Sequence, residues 1–332
     1  MILLQKTGSS PTMVDVAREA GVSLGTVSKV VNHQPVGEAF RKKVEEAIDR
    51  LGYQYNSSGK ALRTDRTNTI ALIIPNTVNP YFALLVNEVE AALEKRGRRL
   101  ILCFTDYDQK KEEEFILMAR QSRADGVIAM TYHPDLKIPE DIPFVTIDRF
   151  FSVSVPCIAS DNFGGGYLAA RKLKELGCEK VAFLRFSSPL VNEPSKRKDG
   201  FVSGCVELGL SFEIKALQDG DSFSEIEDFL SDHIRDGRMT LDGLFVGTDM
   251  LAWQIIRYLR KKGIRVPEDL QVIGFDGIRM FGDQDLIVST IVQPVAEIAE
   301  AAVNTVLSSH LSGMPSLICL PVTYAAGGTT RE

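Results

Sequence analysis

From Asn68 onward, short unbroken apolar runs alternate with amphipathic segments. TIALII, RLILCF, GVIAM and FVTID are too short for buried helices and rich in Val, Ile and Leu. Such runs mark strands covered on both faces, the signature of a parallel sheet. Between them lie VNEVEAALEKRG and KKEEEFILMARQS, whose apolar residues recur at helical spacing. The alternation restarts after Cys157: a helix from Phe163, strand VAFLRF, a helix after Pro194, then strand EIKALQ. A helix from Ser224, strand GLFVG, helix AWQIIRYLRKKG and strand QVIGF complete it. Two serial α/β units predict two lobes with a cleft between them. The length of 332 residues agrees, since single cores stop growing near about 250–300 residues.

The first residues follow different rules. In TMVDVAREAGVSLGTVSKVVN, residues 12–32, Thr12 is placed to cap a helix from Met13 to Ala20. Gly21 follows, where a left-handed backbone costs glycine least. Ser23 then caps a second helix from Leu24 to Val31. Val16, Ala17 and Ala20 share one face of the first helix, and Val27, Val30 and Val31 line the second. Outward, the second helix presents Leu24, Gly25, Thr26, Ser28, Lys29 and Asn32, short side chains suited to the floor of a major groove. An ordinary helical hairpin is the competing reading. A third segment, FRKKVEEAIDRLGY, places Val44, Ala47, Ile48 and Leu51 on one face and closes an all-α helix-turn-helix headpiece over residues 12–54. Residues 1–11 lack periodicity and read as a disordered leader. Residues 55–67 read as a linker in which Asn56 caps one short helix made positive by Lys60, Arg63 and Arg66. At about eight residues, that helix is below the length that persists alone in water.

The net charge of −6 conceals a split. Residues 1–66 hold ten Lys/Arg against seven Asp/Glu, or +3, so the rest carries −9. Attraction to phosphate is set by the field within a Debye length, about 8–10 Å. A basic head on an acidic body is therefore compatible with DNA. Cys103, Cys157, Cys178, Cys205 and Cys319 are odd in number and scattered, neither a disulfide framework nor a zinc site. His33, His133, His233 and His310 are too dispersed for a metal or catalytic cluster. Gly164, Gly165 and Gly166 lack phosphate-loop spacing, and no Lys-Ser/Thr follows. No constellation of nucleophile, base or metal ligands is visible, so the chain is not read as an enzyme, and no cofactor is expected. The lack of a signal sequence and of a run of about 18–20 apolar residues points to the cytoplasm and to no membrane partner.

These motifs together resemble the lactose-repressor/galactose-repressor (LacI/GalR) family of bacterial transcription regulators. VDVAREAGVS, TVSKVVN, VEEAIDRLGY and NSSGKALRT carry the resemblance through the headpiece and linker. IALIIPNTVNPYF, SDNFGGGYLA, RKDGF, VPEDLQVIGFDGI and TIVQP extend it to about residue 328. The resemblance implies a periplasmic-binding-protein-like (type I) sensor over residues 68–332, with three crossovers. Lobe 1 would comprise about 68–161 and 292–319, and lobe 2 about 162–291 and 320–332. It also implies DNA contact by Thr12, Ser23, Leu24, Gly25, Thr26, Ser28, Lys29 and Asn32, with Asn56, Lys60 and Leu62 of the linker. Leu62 matches a leucine that wedges into the minor groove. Gly59 stands where the family usually has alanine, which makes the linker helix harder to form.

In open α/β sheets, ligands sit outside the carboxyl ends of strands. Residues ending the predicted strands are Asn79, Pro80, Tyr81 and Phe82, then Asp148 and Arg149, then Asp276. Charged groups facing aromatic rings suit a sugar. The resemblance assigns ligand contact to Tyr81, Phe82, Asp148, Arg149, Arg197, Asp249, Asp276 and Gln293. Glu193, where a small residue is common, joins these candidates, and Thr248 replaces a common asparagine. Asp161 and Asn162 are read as caps of the following helix, and Trp253 as core or interface. The expected partners are a palindromic operator, a small-molecule effector (a sugar or sugar phosphate), and a second copy in a homodimer or tetramer. Other readings are a transport sugar-binding protein, and a regulator answering to a purine or a protein corepressor.

Overall fold

A computed structural model describes residues 11–32, 34–53, 67–130, 133, 136–151, 154–186, 192–217, 222–280, 285–308 and 315–331. The linker expectations at Asn56, Gly59, Lys60 and Leu62, and the histidines at 33 and 310, lie outside the described residues. The chain divides into two compact units, residues 1–67 and 68–332.

Among its described residues the first unit holds three helices: α1 (Met13–Ala20), α2 (Leu24–Val31) and α3 (Glu38–Leu51). Thr12 and Asp15 form a reciprocal capping box at the start of α1. The Thr12 hydroxyl donates to Asp15 Oδ2 at 2.7 Å, and the hydrogen bonds from Thr12 hold the Asp15 carboxyl below its usual range. Gly21 ends α1 at φ 64°, and Ser23 caps α2 by accepting from the Thr26 amide at 3.1 Å. Val16, Ala17, Ala20, Val27, Val30, Val44 and Ala47 form the core. With so few large side chains, this unit is small, and its helices depend on those caps for their ends.

The second unit contains two six-stranded sheets. In chain order the elements are β1 (Thr69–Ile74), α4 (Pro80–Glu94), β2 (Arg99–Phe104), α5 (Gln109–Gln121), β3 (Gly126–Ala129), β4 (Phe144–Ile147) and β5 (Cys157–Ser160). There follow α6 (Asn162–Glu175), β6 (Lys180–Phe186), a 3-10 turn (Glu193–Ser195), α7 (Lys196–Leu208), β7 (Ser211–Leu217), α8 (Ser224–Asp232) and a hairpin, β8 (Ile234–Arg235) with β9 (Arg238–Met239). Last come β10 (Gly243–Val246), α9 (Asp249–Lys261), β11 (Gln271–Asp276), β12 (Ser289–Val292), α10 (Val295–Val306), β13 (Leu317–Leu320) and β14 (Thr323–Ala325).

The first sheet has the order β13-β5-β4-β3-β1-β2 and is parallel throughout. The second runs β14-β12-β11-β10-β6-β7, with only β14 antiparallel. The chain passes between the sheets at 161, at 293–294 and at 321–322. Helices α4 and α10 pack on one face of the first sheet, and α5 on the other. Helices α6 and α7 cover one face of the second, and α8 and α9 the other. Burial of each sheet on both faces is why its strands read as continuous apolar runs. Arg96, just past α4, pairs with Glu300 and donates to Asn304, which binds α10 to the first lobe although it follows β12 of the second.

The three glycines at 164–166 are a packing device. Added methyl groups there would meet, respectively, the Asp161 carboxylate at 2.1 Å, the Phe275 ring at 2.7 Å and the Arg197 carbonyl oxygen at 2.0 Å. The β8–β9 hairpin had no distinct signal in the sequence.

Candidate functional site

In the second unit, the carboxyl ends of the strands bring charged side chains from both lobes together. Asp148 follows β4, Asp276 ends β11, and Arg197 sits in the first turn of α7. All three are buried. Arg197 Nε donates to Asn162 Oδ1 at 2.7 Å, and Nη1 donates to the Gly247 carbonyl at 2.6 Å. Nη1 also stands 3.9 Å from Asp276 Oδ1, and the guanidinium carbon lies 3.6 Å from the Phe275 ring centroid. Charge, ring and two acceptors thus fix one guanidinium.

Gln293, in the second connection between lobes, joins the two sheets. Its Oε1 accepts from the Ser160 hydroxyl at 2.7 Å, and its Nε2 donates to Asp276 Oδ1 at 2.8 Å. The 3-10 turn reaches across as well: the Glu193 amide donates to the Asp148 carbonyl at 3.2 Å. The Glu193 carboxylate accepts from Lys196 Nζ, which lies 2.8 Å from each oxygen. Tyr81 and Phe82, in the first turn of α4, are buried with ring centroids 5.8 Å apart, edge to face. Arg149 is buried next to Asp148, its guanidinium 5.7 Å from the Phe151 centroid.

Two carboxylate oxygens are left over. Asp148 Oδ1 and Asp276 Oδ2 are buried and have no hydrogen-bond partner among the described residues. Burial pushes the Asp148 carboxyl up to about 6, helped by the nearby Glu193 charge and opposed by Arg197. Asp276 is also pushed up, by burial and by Asp249, against Arg197. Both residues have positive φ, 58° and 137°. Non-glycine residues in that region are strained by about 1–3 kcal/mol, and such strain concentrates at ligand clamps. Two strained, buried acceptors from opposite lobes form an arrangement that a ligand with hydroxyl donors completes.

Asp249 departs from the expectation of ligand contact. It is fully buried, and both oxygens are taken: Oδ1 by the Thr290 hydroxyl at 2.6 Å, Oδ2 by the amides of Gly277 and Ile278 at 2.8 and 2.7 Å. It shapes the backbone after Asp276 rather than facing the cleft. Thr248 caps α9. Asp161 does cap α6, as expected, by accepting from the Gly164 amide at 2.8 Å. Asn162 was expected only to cap, yet it is buried, accepts from Arg197 Nε and donates to the Ser160 carbonyl at 2.9 Å. Asn162 and Ser160 are site residues that sequence reasoning missed. The only available signal was their place at the end of a strand.

In the headpiece, Leu24, Gly25 and Lys29 are exposed on α2, while Thr26, Ser28 and Asn32 are half-buried. Thr12 and Ser23 are engaged as caps. The Asn32 side chain donates to the Ser28 carbonyl at 2.6 Å. Lys29 is the exposed cation of α2. All described cysteines are free thiols. No group of metal-ligating side chains occurs among the described residues, and none of their helices is long and apolar enough to cross a membrane.

Residues 67–315 match the profile "Periplasmic binding proteins and sugar binding domain of LacI family", and residues 12–56 match "Bacterial regulatory proteins, lacI family". The chain is 31% identical to the ribose operon repressor of Halalkalibacterium halodurans, over 89% of this chain and 88% of that one. It is 29% identical to the sucrose operon repressor of Pediococcus pentosaceus, over 90% and 91% respectively. Among solved structures, a periplasmic binding protein/LacI transcriptional regulator of Alkaliphilus metalliredigens in complex with D-xylulofuranose superposes with a TM-score of 0.69 at 26% identity. That alignment covers 80% of this chain and all of the other. With a capped three-helix headpiece, two doubly wound lobes and these matches along its length, the chain belongs to the LacI family of bacterial regulatory proteins.

Proposed function

We propose that this protein is a cytoplasmic, sugar-responsive repressor of a carbohydrate-utilisation operon. It binds a palindromic operator as a homodimer, because one headpiece reads only half a site. The observation that carries the effector assignment is the pair of buried, partnerless oxygens on Asp148 and Asp276, one from each lobe. Sugar hydroxyls donate to them, while Tyr81 and Phe82 supply apolar ring faces. Arg149, Arg197, Glu193 and Gln293 complete the polar wall. A ligand that grips both lobes favours one lobe angle, and so biases the linker and the headpiece pair through differential affinity. The names of the ribose and sucrose operon repressors support a sugar as effector.

Thermal melts with D-ribose, sucrose and cellobiose test the effector assignment. At a hundredfold excess over Kd, the true effector stabilises by about 2.7 kcal/mol, a rise of about 5–10 °C for a domain of this size. Silence across a broad sugar panel would defeat this assignment.

The DNA assignment is tested with palindromic DNA selected from a random pool by the full chain. Deleting residues 1–66 should abolish retardation of that DNA and leave a folded dimer. Lys29→Ala should weaken binding by about 1–3 kcal/mol if Lys29 reads a base. A uniform loss across sequences with a shallower salt slope would make it a phosphate contact instead. Titrations showing no change at all would remove Lys29 from the interface.

A further inference from the structure

At the amino ends of its strands, away from the cleft, the first lobe carries a side-chain tie that its sheet does not need. Asn68 is the first residue of the second unit and stands just before β1. Its φ is 57°, a left-handed backbone that is costly for a residue with a Cβ, though less so for asparagine than for most. Its Oδ1 accepts from Arg98 Nη1 at 2.7 Å. The same Nη1 pairs with the Asp125 carboxylate. Arg98 stands before β2 and Asp125 before β3, the two strands that flank β1. The side chains of Arg98 and Asp125 are only 19% and 10% exposed, so solvent ions screen their attraction weakly.

The main chain already aligns these strands. The Asn68 carbonyl accepts from the Arg99 amide at 2.9 Å, and the Thr69 carbonyl accepts from the Asp125 amide at 2.8 Å. Parallel pairing runs on from Thr69 with β2 and from Ile70 with β3. What the side-chain tie adds is a fixed turn one residue outside the strand, where the chain arrives from the headpiece and linker. A glycine would leave that turn free; an asparagine held by a paired arginine does not.

We propose that Asn68 is a positioning residue: latched by Arg98 and Asp125, it fixes the direction in which the chain leaves the sensor, and so limits the half-site spacing that the dimer accepts. This rests on the dimeric operator reading above. In a two-fold dimer the latch occurs twice, and a short linker carries a direction only if its end is fixed.

The test compares two DNAs bound by the full chain: a palindrome selected from a random pool, and the same palindrome with two base pairs inserted at its centre. The insertion moves the half-sites apart by about 7 Å and rotates one against the other by about 70°. The wild type should bind the inserted DNA at least about tenfold more weakly. Asn68→Gly should bind the selected palindrome about tenfold more weakly than wild type, on the order of ordering one more backbone residue in each chain. Its preference for the original spacing should narrow, because a free turn tolerates both geometries. Asn68→Asp keeps an acceptor for Arg98 and tolerates the same backbone, so it should restore the wild-type preference. Should Asn68→Gly fail to fold, the double variant Arg98→Met/Asp125→Asn removes the anchor together with its counter-charge and gives the same readout. A wild type indifferent to the insertion overturns the proposal. So does an Asn68→Gly variant with the wild-type spacing ratio, whether its affinity is unchanged or lowered equally on both DNAs. An Asn68→Asp variant that behaves like Asn68→Gly also overturns it, since the side-chain bond would then not be the cause. In these three cases the dimeric operator reading survives. A selection that returns no palindrome overturns that reading itself, and the latch with it.

Discussion

Asp148→Asn is expected to weaken the effector response and, at neutral pH, to raise the melting temperature of the ligand-free protein. The two effects share one cause. Asp148 is buried, its Oδ1 lacks a partner, and its carboxyl is pushed up to about 6. A carboxyl whose folded-state value exceeds its unfolded value binds its proton more tightly in the folded state. Stability therefore falls as pH rises through the window from the ordinary value of 3.8 to about 6. At pH 7 the full penalty is present, nominally about 3 kcal/mol at 1.36 kcal/mol per pKa unit. Asparagine removes the charge but turns an amide toward the same space, so a net gain of about 1–2 kcal/mol is expected. Effector affinity moves the other way: losing a charged hydrogen bond costs about 1.5–3 kcal/mol, ten- to a hundredfold. The wild type should also gain stability as pH falls from 7 to about 5, and Asp148→Asn should gain less. Below that range the paired carboxylates reverse the trend. Asp269, lowered to about 2 by Arg265, gives stability that is lost as pH falls toward its folded-state value. A variant that kept its effector response and melted earlier than wild type would show that Asp148 is structural.

Gly200→Ala is expected to produce the largest loss of stability from a single methyl group. A Cβ at Gly200 would lie 1.9 Å from the Phe163 carbonyl oxygen and 3.0 Å from the Tyr167 amide. The reciprocal contact is Gly166, whose Cβ would lie 2.0 Å from the Arg197 carbonyl. Helices α6 and α7 therefore touch backbone to backbone at two glycines. No flexible side chain is available to yield, so the helices must separate. Overpacking of this kind costs about 1–3 kcal/mol and occasionally more, against a helix-propensity gain of at most about 1 kcal/mol for alanine. A net loss of about 2 kcal/mol is expected, with a melting temperature lower by about 4–8 °C. The functional consequence is specific. Asn162 begins α6 and Arg197 lies in the first turn of α7, and their 2.7 Å hydrogen bond depends on how closely the helices approach. Effector affinity should fall along with stability. Denaturation and titration of Gly200→Ala and Gly166→Ala would measure both. Unchanged stability in both variants would refute the close-contact account.

What the sequence determined by itself is local or periodic. Thr12, Gly21 and Ser23 set the ends of α1 and α2 through bonds to residues three or four places away, so their roles were legible before any tertiary contact was known. Eight of the twelve strands in the two sheets were legible as short apolar runs, because burial on both faces leaves no polar alternation, while β5, β12, β13 and β14 were not singled out. The site was legible in part: Asp148, Arg149 and Asp276 end strands, and ligands gather at the carboxyl ends of strands. Tertiary structure alone decided the rest, because it depends on residues distant in the chain. Asp249 and Asp276 are both acidic residues near strand ends. They differ because Thr290 and the amides of Gly277 and Ile278 close around one and leave an oxygen of the other without a donor. Asn162 looked like a cap until α7 brought Arg197 against it. Gly166 carried no mark of its purpose, since the backbone it makes room for belongs to a helix about thirty residues later. Capping and periodicity act within a few residues and leave a pattern in the chain. The partner of a buried charge is chosen by packing, which no spacing in the chain records.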